Sequence, residues 1–104
     1  MTDQWGGPLR VDVDPSGVLK VHGDIDVAGG PMLETYVLRV ENGDPIVMDL
    51  AGVEFIDSSG LRTLLGASRR AQQRGTEVRL RNVGPAVRRM LDITGTSDHF
   101  QLQE

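Results

Sequence analysis

Apolar and polar positions change their period several times along this 104-residue chain, and each change marks a boundary. Residues 8–13 (PLRVDV) alternate as a half-buried strand does, Asp14-Pro15-Ser16-Gly17 form a tight turn, and residues 18–22 (VLKVH) return as the hairpin partner. Gly23-Asp24-Ile25-Asp26 then break the strand. After Gly29-Gly30 the period becomes helical. Pro31 suits a first turn, where its missing N–H costs nothing, and Leu33, Tyr36, Val37 and Val40 fall at i, i+3, i+4 and i+7. A helix from about Pro31 to Glu41 follows, ended by Asn42-Gly43.

Residues 45–50 (PIVMDL) are an apolar run of strand length, and Val53, Phe55 and Ile56 extend the apolar contact. Such a run suits a strand covered on both faces. The next helix spans about Ser59 to Arg74, with Leu61, Leu64, Leu65 and Ser68 on one stripe and Arg62, Arg69, Arg70 and Arg74 on the other side. Residues 76–80 (TEVRL) alternate as a strand, and Pro85 to Leu91 return to helical spacing through Val87, Met90 and Leu91. The tail DHFQL fits either a last short strand or packed coil. The order ββαβαβα, with or without a final β, predicts an α/β fold: a mixed, mostly parallel sheet of four to five strands with helices packed against it. Residues 1–104 are expected to form one domain with its core over about 9–102.

Composition narrows the chemistry. With 38% hydrophobic and 4% aromatic residues, the core must be built mainly from Val, Leu, Ile and Met. The absence of cysteine excludes disulfides, thiolate metal sites and cysteine nucleophiles. His22 and His99 are far apart in sequence, without metal-ligand spacing around either, and read as structural or solvent-facing. The net charge of −4 is unevenly distributed: residues 1–56 hold ten acids and three bases, residues 57–104 five acids and eight bases. The later bases are all arginine but are not interleaved with aromatics, so they read first as solvated helix faces, then as a protein contact, and last as a nucleic-acid grip. No apolar run approaches the roughly 20 residues of a membrane span. The opening MTDQWGGPLR lacks both a positive n-region and an apolar h-region, so a cytoplasmic location is expected.

The densest chemistry lies in residues 54–61, EFIDSSGL, where an apolar strand gives way to a helix. Asp57, Ser58 or Ser59 can each accept a hydrogen bond from the helix's free N–H groups, and Gly60 lets the turn close. One residue suffices as a cap, so the second hydroxyl asks for another explanation. Sites in parallel α/β sheets gather outside the carboxyl ends of strands. A phosphoryl group on a hydroxyl there would add a charge of about −1.5 to −2 beside Asp57 and, if the strands pair as expected, Asp24 and Asp26.

The stretch MDLAGVEFIDSSGLRTLL, with GDID upstream and VRRMLDITG downstream, resembles the STAS domain of bacterial anti-sigma-factor antagonists from about Leu9 to Leu102. The resemblance implies that Ser58, the first serine of the motif, is phosphorylated by a partner anti-sigma factor that is itself an ATP-using serine kinase. It implies that the unphosphorylated form binds that kinase and frees the sigma factor, whereas the phosphorylated form lets go and awaits a serine phosphatase. Asp24 and Asp26 correspond to the family's paired acids, and Asp57, Ser59 and Gly60 match directly. Partner contact is therefore expected at Asp24, Asp26, Asp57, Ser58, Ser59, Gly60 and Arg62, and the choice between Ser58 and Ser59 as acceptor stays open. Two positions depart from the family pattern. Arg62 stands where glycine is frequent, and either tunes partner choice or helps hold the phosphate; Thr96 stands where leucine is usual, which weakens C-terminal packing. No cofactor, metal, nucleic-acid or membrane partner is implied.

Other readings fare worse. A serine hydrolase wants Gly-x-Ser-x-Gly, and Ile56-Asp57-Ser58-Ser59-Gly60 lacks the first glycine. Nucleotide-binding glycine signatures are missing, since Gly6-Gly7 and Gly29-Gly30 read as turn pairs without the rest of the pattern. Within the resembling family, the alternative is a fixed STAS scaffold in a lipid transporter or signalling assembly, without a phospho-switch.

Overall fold

The computed structural model describes residues 7–103, so most of the opening segment read for an export signal, with Gly6, lies outside the described residues. Strands β1 (Arg10–Val13) and β2 (Leu19–Ile25) form the expected antiparallel hairpin. Its turn is held by one carboxylate: Asp14 Oδ1 accepts from the Ser16 hydroxyl at 2.7 Å, the Ser16 N–H at 2.9 Å and the Val18 N–H at 3.0 Å. The Ser16 hydroxyl above all, then the Val18 amide, hold the Asp14 carboxyl below its usual range.

Helix α1 (Gly29–Val40), strand β3 (Ile46–Ile56), helix α2 (Ser58–Gln73), strand β4 (Val78–Arg81) and helix α3 (Pro85–Thr94) follow. A single 3-10 turn (Ser97–His99) leads into β5 (Gln101–Gln103). The five strands lie side by side in chain order, and every pairing after the hairpin is parallel. Helices α1 and α2 pack against each other and against β2, and α2 and α3 also pack on β3. The core is one cluster in which Leu19, Ile25, Leu33, Met48, Leu50, Leu64, Leu80 and Leu91 are fully buried. Burying each such side chain is worth roughly 2 kcal/mol.

Several boundaries differ from the sequence expectation. Gly23-Asp24-Ile25-Asp26 do not end the strand: β2 runs to Ile25, and Gly23, at φ +90°, sits at a register shift that bends the strand without stopping it. Strand β3 continues unbroken through Ala51 and Gly52. Phe55, expected to add to the core, is 48% exposed: Val53 pairs with Gly23 and Phe55 with Asp24, so Glu54 is an extra residue on β3, and this bulge turns Phe55 outward while Val53 and Ile56 go in. Gly29-Gly30 are not a turn pair but the first residues of α1, and α2 begins at Ser58, not Ser59. Helix α3 outlasts its apolar stripe and ends at Gly95 in the left-handed region (φ +67°). The tail forms β5, anchored by buried Phe100 and by the Ser68 hydroxyl, which donates to the His99 carbonyl at 2.6 Å.

Arg70, expected on a solvated face, instead joins the far ends of α1 and α2. Its Nε donates to Glu41 Oε1 at 2.9 Å and its Nη1 lies 3.4 Å from Glu34, while Arg74 reaches Glu41 at 3.8 Å. The Glu41 side chain is only 6% exposed, whereas Glu34 and Arg74 are about half exposed, so the cluster is shielded at Glu41 and open to water at its edges. Elsewhere, partial burial pushes the Asp49 carboxyl up, but hydrogen bonds from Asn82 and Ala51, with Lys20 and Arg81 nearby, outweigh it and hold the group below its usual range. Among the described residues no helix is long and apolar enough to cross a membrane.

Candidate functional site

The parallel strands β2 and β3 end together, with Ile25 in register with Ile56, and an aspartate follows each. Asp57 is in the extended conformation, and its N–H donates to the Ile25 carbonyl at 3.2 Å, adding one more rung to the sheet. Its Oδ1 then accepts from the Gly60 N–H at 2.9 Å, and its carbonyl accepts from the Leu61 N–H at 2.9 Å. Asp57 is therefore the N-cap of α2. Neither serine is needed for that task.

The junction leading into α1 repeats this geometry. Asp26 Oδ1 accepts from the Gly29 N–H at 2.8 Å and the Ala28 N–H at 3.1 Å, and the Asp26 carbonyl accepts from the Gly30 N–H at 2.7 Å. Both strand-to-helix junctions share the pattern Ile-Asp-x-x-Gly: Ile25-Asp26-Val27-Ala28-Gly29 and Ile56-Asp57-Ser58-Ser59-Gly60. Val27-Ala28 occupy the place of Ser58-Ser59 and cap nothing either.

Gly60 is required by space rather than by dihedral angle. It is not among the positive-φ glycines, but a Cβ there would strike the Ile25 carbonyl and lie 2.8 Å from Ile25 Cγ2. The glycine thus does more than let the turn close: it brings the first turn of α2 hard against β2. A Cβ on Gly30 would come 2.6 Å from Thr63 Oγ1, so the first turn of α1 also packs closely on the second turn of α2. The resulting rim sits at the carboxyl ends of β2 and β3, where sheets of this kind place their sites.

On that rim Ser58 is exposed and Ser59 half-buried. Neither hydroxyl has a hydrogen-bond partner among the described residues; the Ser59 carbonyl accepts from Thr63 Oγ1 at 3.4 Å. Arg62 is exposed one turn further along α2 and forms no ion pair among the described residues. Asp24 is half-buried beside Phe55 in the β2–β3 register, with its Oδ1 buried and without a hydrogen-bond partner among the described residues. Thus the structure brings Asp24, Asp26, Asp57, Ser58, Ser59, Gly60 and Arg62 to one end of the fold, but divides them by task. Asp26, Asp57 and Gly60 build the two junctions, while Ser58 and Arg62 face solvent.

Two rim residues escaped sequence reasoning. Val27 is 70% exposed and Phe55 nearly half, so apolar surface is offered by the turn before α1 and by the end of β3. For Phe55 the sequence held no signal, because alternation from Val53 points it inward and only the bulge at Glu54 reverses that. For Val27 the available signal was the Ile-Asp-x-x-Gly match to Ser58. The histidines lie elsewhere: His22 Nε2 stands 3.6 Å from Asp12 Oδ2, and exposed His99 sits near Leu65, Arg69 and Gln72 of α2. Among the described residues no cluster of three or more His, Asp or Glu side chains could hold a metal ion.

Comparison with known proteins gives a consistent picture. The STAS domain family profile matches residues 9–104. The chain is 32% identical over 81 residues to an anti-sigma-B factor antagonist of Bacillus subtilis, covering 77% of this chain and 74% of that protein. It is 30% identical over 81 residues to an anti-sigma F factor antagonist of Paenibacillus polymyxa, covering 75% and 69%. Among solved structures, an anti-sigma factor antagonist from Mycobacterium paratuberculosis superposes with a TM-score of 0.74 at 31% identity, covering 90% of this chain and 82% of the other.

Proposed function

The chain belongs to the STAS-domain family of anti-sigma-factor antagonists, and we propose that it works as a phosphorylation-gated antagonist. Unphosphorylated, it binds an anti-sigma factor that is an ATP-using serine kinase, and the sigma factor is released. That kinase then transfers the γ-phosphoryl group of ATP to Ser58: the Oγ–P bond forms, the bond to ADP breaks, and the hydroxyl proton passes to a base on the kinase. The modified protein lets go, and a serine phosphatase restores it. All of this takes place in the cytoplasm.

One observation carries the reading. Asp57 already caps α2, so the exposed hydroxyl of Ser58 has no structural duty that its modification would disturb. Exposed Val27 and Phe55 supply apolar area for the partner, and apolar contact is what a dianion spoils when it must be desolvated. Asp24, Asp26, Asp57 and Glu54 make the surroundings acidic already, so an added charge of about −1.5 to −2 changes the local field without changing the fold.

The reading is tested by incubating the protein with ATP and a candidate anti-sigma factor from the same cell, then locating the phosphate by mass spectrometry. Phosphate on Ser58, with none taken up by Ser58→Ala, supports it. Phosphate on Ser59 alone would move the gate by one residue, and no incorporation with any kinase-like partner would leave a fixed scaffold as the better description.

A further inference from the structure

Resting on the reading of Ser58 as phosphoacceptor, we propose that Arg62 clamps the phosphoryl group once it is attached, making it a positioning residue for the switched-off state. Ser58 and Arg62 are four residues apart on α2 and both exposed, which puts them on one side of the helix about one turn apart. Helical side chains lean toward the N-terminus, so the Arg62 stem covers the turn that contains Ser58. An anion placed N-terminal to a cation at this spacing is the favourable order. A guanidinium can also meet two phosphate oxygens in parallel, which an ammonium cannot.

Two features of the chain make the pairing specific. Arg70 and Arg74 are held by Glu41 at the far end of α2, whereas Arg62 is bound by no carboxylate among the described residues. In the matching junction before α1, Val27 and Pro31 occupy the positions of Ser58 and Arg62, so the hydroxyl and the cation occur together at one junction and are both missing from the other. The clamp offsets repulsion from Asp57, Asp24, Asp26 and Glu54 and holds the phosphoryl group along α2 instead of leaving it to swing freely over the rim.

The test places phosphoserine at position 58 by genetic encoding, so that no kinase is needed, and titrates its phosphorus resonance with pH. Three chains are compared: the parent, Arg62→Gln and Arg62→Lys. Arginine favours the dianion, so its second pKa should lie lower than in Arg62→Gln by about 0.3 to 0.5 unit, a two- to threefold change in proton affinity. Arg62→Lys should fall between. Raising the salt to about 1 M should shrink the difference. Equal titration in all three chains would overturn the clamp. Failure of every kinase to modify Ser58 would overturn the switch instead, while leaving the titration result in place.

Discussion

The junctions that lead into α1 and α2 are built alike and equipped differently. In each, a strand ends in isoleucine, the aspartate that follows accepts from a glycine N–H three residues on, and that glycine lets backbone approach backbone. Between aspartate and glycine, one junction carries Val27-Ala28 and the other Ser58-Ser59. The first therefore serves as an internal control for the second. Since the Asp26 carboxylate closes its junction without neighbouring hydroxyls and the Asp57 carboxylate caps α2 by itself, the hydroxyls after Asp57 are not there for capping.

Gly60→Ala puts the comparison under most strain. It should lower stability by about 3 kcal/mol, read from denaturant midpoints, because the added carbon meets a strand carbonyl that cannot swing away. Gly29→Ala should behave in the same way, since its Cβ would lie 2.7 Å from the Asp24 carbonyl. If either protein keeps its parent stability, the shared steric logic of the junctions is wrong.

Next comes Ser58→Asp, which should weaken binding to the kinase partner by roughly 30-fold, about 2 kcal/mol, with Ser58→Ala binding like the parent. One carboxylate carries less charge than a phosphate, so this is the milder form of the effect. Equal affinity of all three proteins in a calorimetric titration would dissociate Ser58 from control.

Removing the caps should have a smaller effect. Asp57→Ala should lose about 1 kcal/mol, and Asp26→Ala at least as much, because losing the Asp57 carboxylate frees one N–H and losing that of Asp26 frees two. The smallest change should come from copying one junction into the other. Ser58→Val is expected to hold its melting stability within about 0.5 kcal/mol while losing all phosphate uptake. A larger loss of stability would mean that the serine has a structural duty after all.

Much of this was legible in the sequence, and the failures share a cause. The hairpin, the alternation of strands with helices and the exposed hydroxyl where a strand passes into a helix followed from period and turn chemistry alone. Gly23 misled because a glycine in a strand can mark either a break or a bulge, and only the partner strand decides which. Gly29-Gly30 misled because close packing between helices and tight turning call for the same residue. Arg70 looked solvated because its partner Glu41 is 29 residues away in sequence and belongs to another helix. Phe55 was counted with the core on hydrophobicity, and alternation from Val53 agreed; the bulge at Glu54, visible only in the pairing with β2, turned it outward.

The ion cluster of Glu34, Glu41, Arg70 and Arg74 has a bearing on how a partner would sense the proposed modification. It ties the two helices at the end remote from the serines, while glycine contacts pin them at the near end. A pair of helices fastened at both ends has little room to rearrange, so the proposed phosphoryl group would be met as a chemical mark on an unchanged outline, as a reader meets a stamp and not a new shape.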